Sequence, residues 1–261
     1  MAARNTLDQP GSGAPEVVAR ISTAFDAVAS LKAISAAEES LDKVLSWVAD
    51  GAVAAVADAD AVSITVLEPP VARTVAYTDE KLLPLDEKQY TSRRGPCLEA
   101  ADTRQAVRAA MASHQQRWPE FVAAARDGGV RATLSIPLII ASPTGGPDHE
   151  LVGSLNAYST TTGEFDLVDE ALLALYTDAA GQAISSARRW QYMRDTVARL
   201  EEAMTARADI EQAKGALRVV NACTADKAFA LLVERSQREN VKLRHIARRV
   251  LEELTRTPPQ E

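Results

Sequence analysis

The chain has 261 residues, 46% of them hydrophobic and 25% charged, enough for one large domain or two ordinary ones. There is no apolar run of about 18 residues, so no membrane span is predicted, and two distant cysteines, Cys97 and Cys223, exclude a disulfide framework and point to the cytoplasm. The net charge of −7 argues against a nucleic-acid partner for the whole chain, but the 57 residues from Thr205 to Glu261 hold 11 Lys/Arg against 8 Asp/Glu, and the 204 before them 18 against 28. An acidic body with a mildly basic tail fits a split between sensing and binding.

Residues 1–15, rich in Gly, Ser and Pro and lacking an apolar signal core, read as a disordered lead-in. From about Pro15 to Asp58 the pattern is helical: Val17, Ile21, Ala24, Phe25 and Val28 recur at helical spacing, as do Leu41, Val44, Leu45 and Val48. Val62, Ile64 and Val66 then alternate with Ser63 and Thr65 as a strand, and Val71 to Tyr77 supplies a second. Thr78 to Val130 reads as irregular with helical pieces. Leu134, Ile136, Leu138 and Ile140 alternate in one later strand, and Leu151, Gly153, Leu155 and Ala157 in another. The turn-dense segment from Ser142 to Pro147 makes these two a hairpin. Pro137 inside the first of them implies a sheet edge or a bulge. Helices before a mostly antiparallel sheet, followed by a returning helix, describe an α+β sensor-like domain over residues 16–165.

Within that domain Gly95-Pro96 reads as a rigid turn into a helix beginning near Cys97. A thiol at a helix N-terminus has a lowered pKa when accessible, which makes Cys97 a candidate sensing residue. The alternative is a small buried apolar side chain. Trp118 and Phe121 are candidate pocket residues that helical spacing also assigns to a core. His114 and His149 have no partner at metal-ligand spacing, so no metal site is predicted, nor any cofactor beyond an unknown small-molecule ligand of this domain.

From Asp166 the pattern stays helical for some 50 residues. Tyr176, Ala183, Trp190, Val197 and Met204 occupy one heptad position, with Ala179, Ser186, Met193, Leu200 and Arg207 at the other. A sustained seven-residue repeat is a coiled-coil signal, so residues 166–205 are expected to form a short parallel homodimer coil. One long helix packed on its own domain is the competing reading.

Residues 206–256 read as three short helices around one small core, with 257–261 as a tail. Ile210, Ala213, Leu217 and Val220 form the first core face; Ala225, Ala228, Phe229, Leu232 and Ser236 the second; Leu243, Ile246, Ala247, Val250 and Leu254 the third. Thr224 and Asn240 are the expected N-caps of the second and third helices. Beside the first core face runs a stripe of Arg207, Glu211, Lys214 and Arg218. Gly215 costs about 1 kcal/mol in mid-helix relative to Ala, which the close approach of a helix or a ligand backbone would explain.

The residues Arg207, Ile210, Gln212–Gly215, Leu217, Ala228–Phe229, Leu232, Ser236, Asn240, Lys242–Leu243 and Ala247 resemble the ANTAR domain, the three-helix RNA-binding module of bacterial transcription antiterminators. Upstream, Tyr90, Gly95-Pro96-Cys97-Leu98-Glu99, Arg117-Trp118-Pro119, Gly129-Val130-Arg131, Leu134–Leu138 and Leu155–Ser159 resemble the GAF domains that precede such modules, over about Glu38 to Arg188. The resemblance implies a GAF sensor, a dimer coil and an output module that binds paired hairpin loops in nascent RNA. Arg207, Lys214, Gly215, Arg218, Lys242, Arg244 and Arg248 are then the expected RNA contacts. Lys and Arg hold phosphates while loops expose base edges for reading. Phe229, the only aromatic in the tail, is assigned to the core, which argues against base stacking.

Two other function classes compete. A dimeric DNA-binding regulator would use the helix from Lys242 to Leu254 for recognition. A redox enzyme resembling the GAF domains that reduce methionine sulfoxide would need several clustered cysteines, and the front domain has Cys97 alone. No triad, phosphate loop or paired carboxylates appear, so catalysis is not expected.

Overall fold

Period-2 alternation places Val62, Ile64 and Val66 on one side of strand β1 (Ala61–Glu68) and Ser63 and Thr65 on the other. Four further strands complete the sheet: β2 (Val71–Tyr77), β3 (Val107–Ala110), β4 (Ala132–Ala141) and β5 (His149–Ser159), in the order β2-β1-β5-β4-β3. Every neighbouring pair is antiparallel. This computed structural model describes residues 13–36, 39–68, 71–142 and 149–256, so residues 1–12 of the expected lead-in, most of the β4–β5 turn and the tail 257–261 lie outside the described residues, while residues 13–15, expected to be disordered, open a helix. The chain divides into two compact units, Met1–Gln191 and Tyr192–Glu261.

In the first unit, helices α1 (Gly13–Ala36), α2 (Leu41–Ala55) and the first turns of α6 (Leu167–Val220) share a core with the apolar side of the sheet. Val44, Val48, Ile64, Leu134, Leu138, Leu155, Leu173 and Ile184 are buried there. The predicted hairpin is present as the β4–β5 pair. Pro137 satisfies both expectations for a strand proline. β3 pairs only with Ala132–Ser135, which leaves an open edge at Pro137, and the register with β5 shifts between Leu138 and Ile139. The segment expected to be irregular holds α3 (Leu83–Ser92), α4 (Pro96–Thr103), β3 and α5 (Pro119–Asp127). These helices cover the second side of the sheet, so Ser63, Thr65, Thr133, Ser135, Ser154 and Asn156 are buried rather than solvated.

The long helix predicted from Asp166 is α6, 54 residues long. Its heptad does not serve one purpose throughout. Tyr176 and Ala183, placed by the pattern at a dimer seam, are inside the first unit's core, where the Tyr176 hydroxyl donates to the Val48 carbonyl at 2.9 Å. The same seam positions from Met193 to Met204 are exposed: Met193, Val197, Leu200 and Met204.

In the second unit, α7 (Ala225–Glu239) and α8 (Leu243–Arg256) join the last turns of α6 around Ala213, Ala228, Leu232, Ile246, Ala247 and Val250. Thr224 caps α7 as expected, its hydroxyl accepting from the Lys227 amide at 3.3 Å. Three expectations fail. Asn240 does not cap α8; it ends α7 in the left-handed region (φ 51°), a conformation Asn tolerates better than most residues. Val220 and Phe229, spaced as core residues, are exposed, because a core this small closes over the innermost position of each turn and leaves the flanking ones outside.

Candidate nucleic-acid interface

Ion pairs define how the three helices of the second unit run. Glu202 and Asp209 of α6 pair with Arg244 and Arg248 of α8, in the same sequence direction, so these helices are parallel. Arg235 and Glu239 of α7 pair with Glu253 and Arg249 of α8 in opposite directions, so α7 is antiparallel to both.

This arrangement separates the expected RNA contacts into two groups. Arg207, Lys214 and Arg218 lie along one flank of α6, turned away from α8. Lys214 is half-buried and paired with Glu211, whereas Arg207 and Arg218 are exposed and form no ion pair among the described residues. Arg244 and Arg248 are on the α6–α8 seam, bound to carboxylates. Arg248 Nη2 is 2.9 Å from Asp209. Lys242 stands exposed in the turn before α8. Gly215 is exposed, and a Cβ added there would meet nothing within 4 Å. No helix of this unit therefore approaches closely enough to require it.

The first unit has a different candidate site, the buried polar side of its sheet. Asn156 donates to the Thr65 and Ser63 hydroxyls at 3.0 and 3.3 Å, while its Oδ1 and the Thr133 hydroxyl are buried without partners among the described residues. Thr65 and Thr74 both meet the Tyr90 hydroxyl, at 2.9 and 2.8 Å. Asp86, from α3, is fully buried and accepts hydrogen bonds from Thr74 (2.8 Å) and Tyr158. Burial pushes its carboxyl above the usual range, opposed by these donors. Sequence reading missed this cluster because alternating Ser, Thr and Asn residues in a strand ordinarily mark a solvent face.

Cys97 does not fit a reactive thiol. It is buried, and burial together with the neighbouring Asp86 charge pushes its pKa well up. Its amide donates to Gln89 Oε1 at 2.9 Å, so the buried Gln89 side chain caps α4. A Cβ on Gly95 would fall 2.2 Å from that Oε1, which is why the turn needs glycine. Trp118 and Phe121 are buried in an apolar cluster with Leu82, Leu85 and Val122. Trp118 also borders an open basin of about 360 Å³ ringed by Arg93, Arg94 and Arg117.

Among the described residues no helix is long and apolar enough to cross a membrane, and no His, Cys, Asp or Glu group is arranged to hold a metal ion. The GAF-domain family model matches residues 38–185 and the ANTAR-domain model residues 198–251. No curated protein matches the chain. Among solved structures, the photosensory core module of the Stigmatella aurantiaca phytochrome is similar at 11% identity, over 78% of this chain and 43% of that one, with a TM-score of 0.51. The phycoerythrobilin-bound GAF domain of a cyanobacterial phytochrome is similar at 14% identity, over 63% and 95%, with a TM-score of 0.47. The free methionine-R-sulfoxide reductase of Neisseria meningitidis is similar at 15% identity, over 68% and 95%, with a TM-score of 0.46. At these identities the likeness concerns fold alone. The family models together span both compact units: the chain belongs to the GAF-domain family and carries an ANTAR domain after its GAF domain.

Proposed function

We propose that this protein is a signal-responsive regulator that binds hairpins in nascent RNA through its ANTAR domain and so promotes transcription antitermination. The observation that carries this reading is the α6 flank. Arg207 and Arg218 are exposed there without carboxylate partners among the described residues, in a chain of net charge −7. Cations left unpaired on an acidic protein are available for phosphates. The cations of α8 that a DNA-recognition helix would need, Arg244, Arg248 and Arg249, are each engaged with a carboxylate.

Control lies with the GAF domain. A small polar molecule would be read by the buried hydroxyl and amide groups around Asn156 and Asp86, with α6 carrying the response. The exposed seam of Met193, Val197, Leu200 and Met204 would pair with a second copy as a short parallel coil, giving a homodimer with two output modules. Bound RNA would then favour an antiterminator fold over a terminator stem.

The test is a gel shift of the full chain with tandem RNA hairpins and with duplex DNA. Hairpin binding is expected, and Lys214→Glu with Arg218→Glu is expected to abolish it while circular dichroism stays unchanged. Tight DNA binding with no hairpin preference would overturn the reading, as would normal RNA binding by the double variant.

A further inference from the structure

Phe229 is spaced as a core residue, yet 42% of it is exposed, and it is the only Phe, Trp or Tyr after Tyr192. Its direction follows from the packing. Ala228 and Leu232 mark the buried side of α7, and Ala213 and Leu217 mark that of α6. Each residue turns a helix by about 100°. Arg218 stands one residue past Leu217, and Phe229 one residue past Ala228. Because α6 and α7 are antiparallel, these two equal steps swing both side chains to the same flank of the hairpin. Lys214 and Arg207 lie on that flank too. The opposite flank of α6 faces α8 through Glu202 and Asp209. An exposed aromatic ring, two exposed arginines and the Lys214–Glu211 ion pair therefore share one side of the module.

We propose that Phe229 is a stacking platform for an unpaired base of an RNA loop, with Arg218, Lys214 and Arg207 holding the flanking phosphates. The inference rests on the RNA-binding reading above and adds Phe229 as the side chain that meets a loop base. A protein partner would be met by a contiguous apolar patch with charges at its rim. Here a single ring sits beside Arg207 and Arg218, with Lys214 shared with Glu211, the pattern of single-stranded nucleic-acid binding, in which every base offers a π-face and the backbone needs positive charge. The open helix surface at Gly215, next in sequence to Lys214, adds to the match, since a strand can approach the backbone there without meeting a side chain.

Ultraviolet cross-linking of the full chain to the RNA that co-purifies with it, followed by mass spectrometry, tests the assignment. A nucleotide adduct on Phe229 is expected. Phe229→Ala should lose the adduct and weaken hairpin binding roughly five- to a hundred-fold, with an unchanged circular dichroism spectrum, while Phe229→Trp retains binding. Adducts confined to α6, together with wild-type affinity in Phe229→Ala, would overturn the stacking role and leave RNA binding standing. If no RNA is cross-linked anywhere, both readings fall.

Discussion

Asp86 is a carboxyl group surrounded by hydroxyls, with no cation among its hydrogen-bond partners, and its cost is legible in its titration. Burial raises its folded pKa above the unfolded value. The protonated form is thus favoured in the folded state, and the stability it contributes is complete below the unfolded carboxyl pKa. That contribution is lost as pH rises through the raised folded value. Asp86→Asn is therefore expected to raise the thermal midpoint at neutral pH and to flatten its decline between mildly acidic and neutral solution. Gly215 poses the opposite case. Nothing in the fold requires it, so Gly215→Ala should stabilise the helix by about 1 kcal/mol. If a nucleic-acid backbone approaches at this point, the same variant should bind hairpins more weakly; thermal melting and gel shifts on one preparation separate the two effects.

At the scale of elements, one side chain of α1 reaches the start of α6 beside the core that α1 shares with α2. Arg20 pairs with Asp166 at 3.0 Å and with Asp169, whose side chain is fully buried. The Arg20 hydrogen bond holds the Asp166 carboxyl down at about 2. Asp169, deeper, is instead pushed up by burial despite the same partner. Arg20→Ala leaves that buried carboxyl unpaired, and a loss of about 3 kcal/mol is expected in urea denaturation of the full chain. Helix α6 shows why an apolar repeat alone does not delimit a coiled coil. Tyr176 and Ala183 meet the heptad as well as Val197 and Met204 do, yet the first pair faces α2 and the sheet. Periodicity shows that a helix has an apolar side and does not show what covers it.

For the whole molecule, the proposed dimer would present two modules and so convert a second hairpin contact into an intramolecular one. Leu200→Glu is expected to give monomers by analytical ultracentrifugation. It should also lower affinity for a two-hairpin RNA by about 10²-fold or more while leaving single-hairpin affinity unchanged; equal losses on both RNAs would sink the avidity account. The sequence by itself determined strands β1 and β2, the antiparallel hairpin, the long helix and the three-helix tail, because these follow from local periods and turn chemistry; the weaker periods between Thr78 and Val130 did not resolve α3 to α5 and β3. Tertiary structure decided which sides those elements bury. Ser63, Thr65 and Asn156 alternate as a solvent face would, and only the covering helices α3 to α5 make them an interior. Phe229 and Val220 are spaced as core, but a three-helix bundle has too little interior to take them. Arg207 and Arg218 differ from Arg244 and Arg248 only through which carboxylates the packing brings near. Burial and pairing depend on neighbours distant in sequence, so a local pattern proposes them and the packed chain decides.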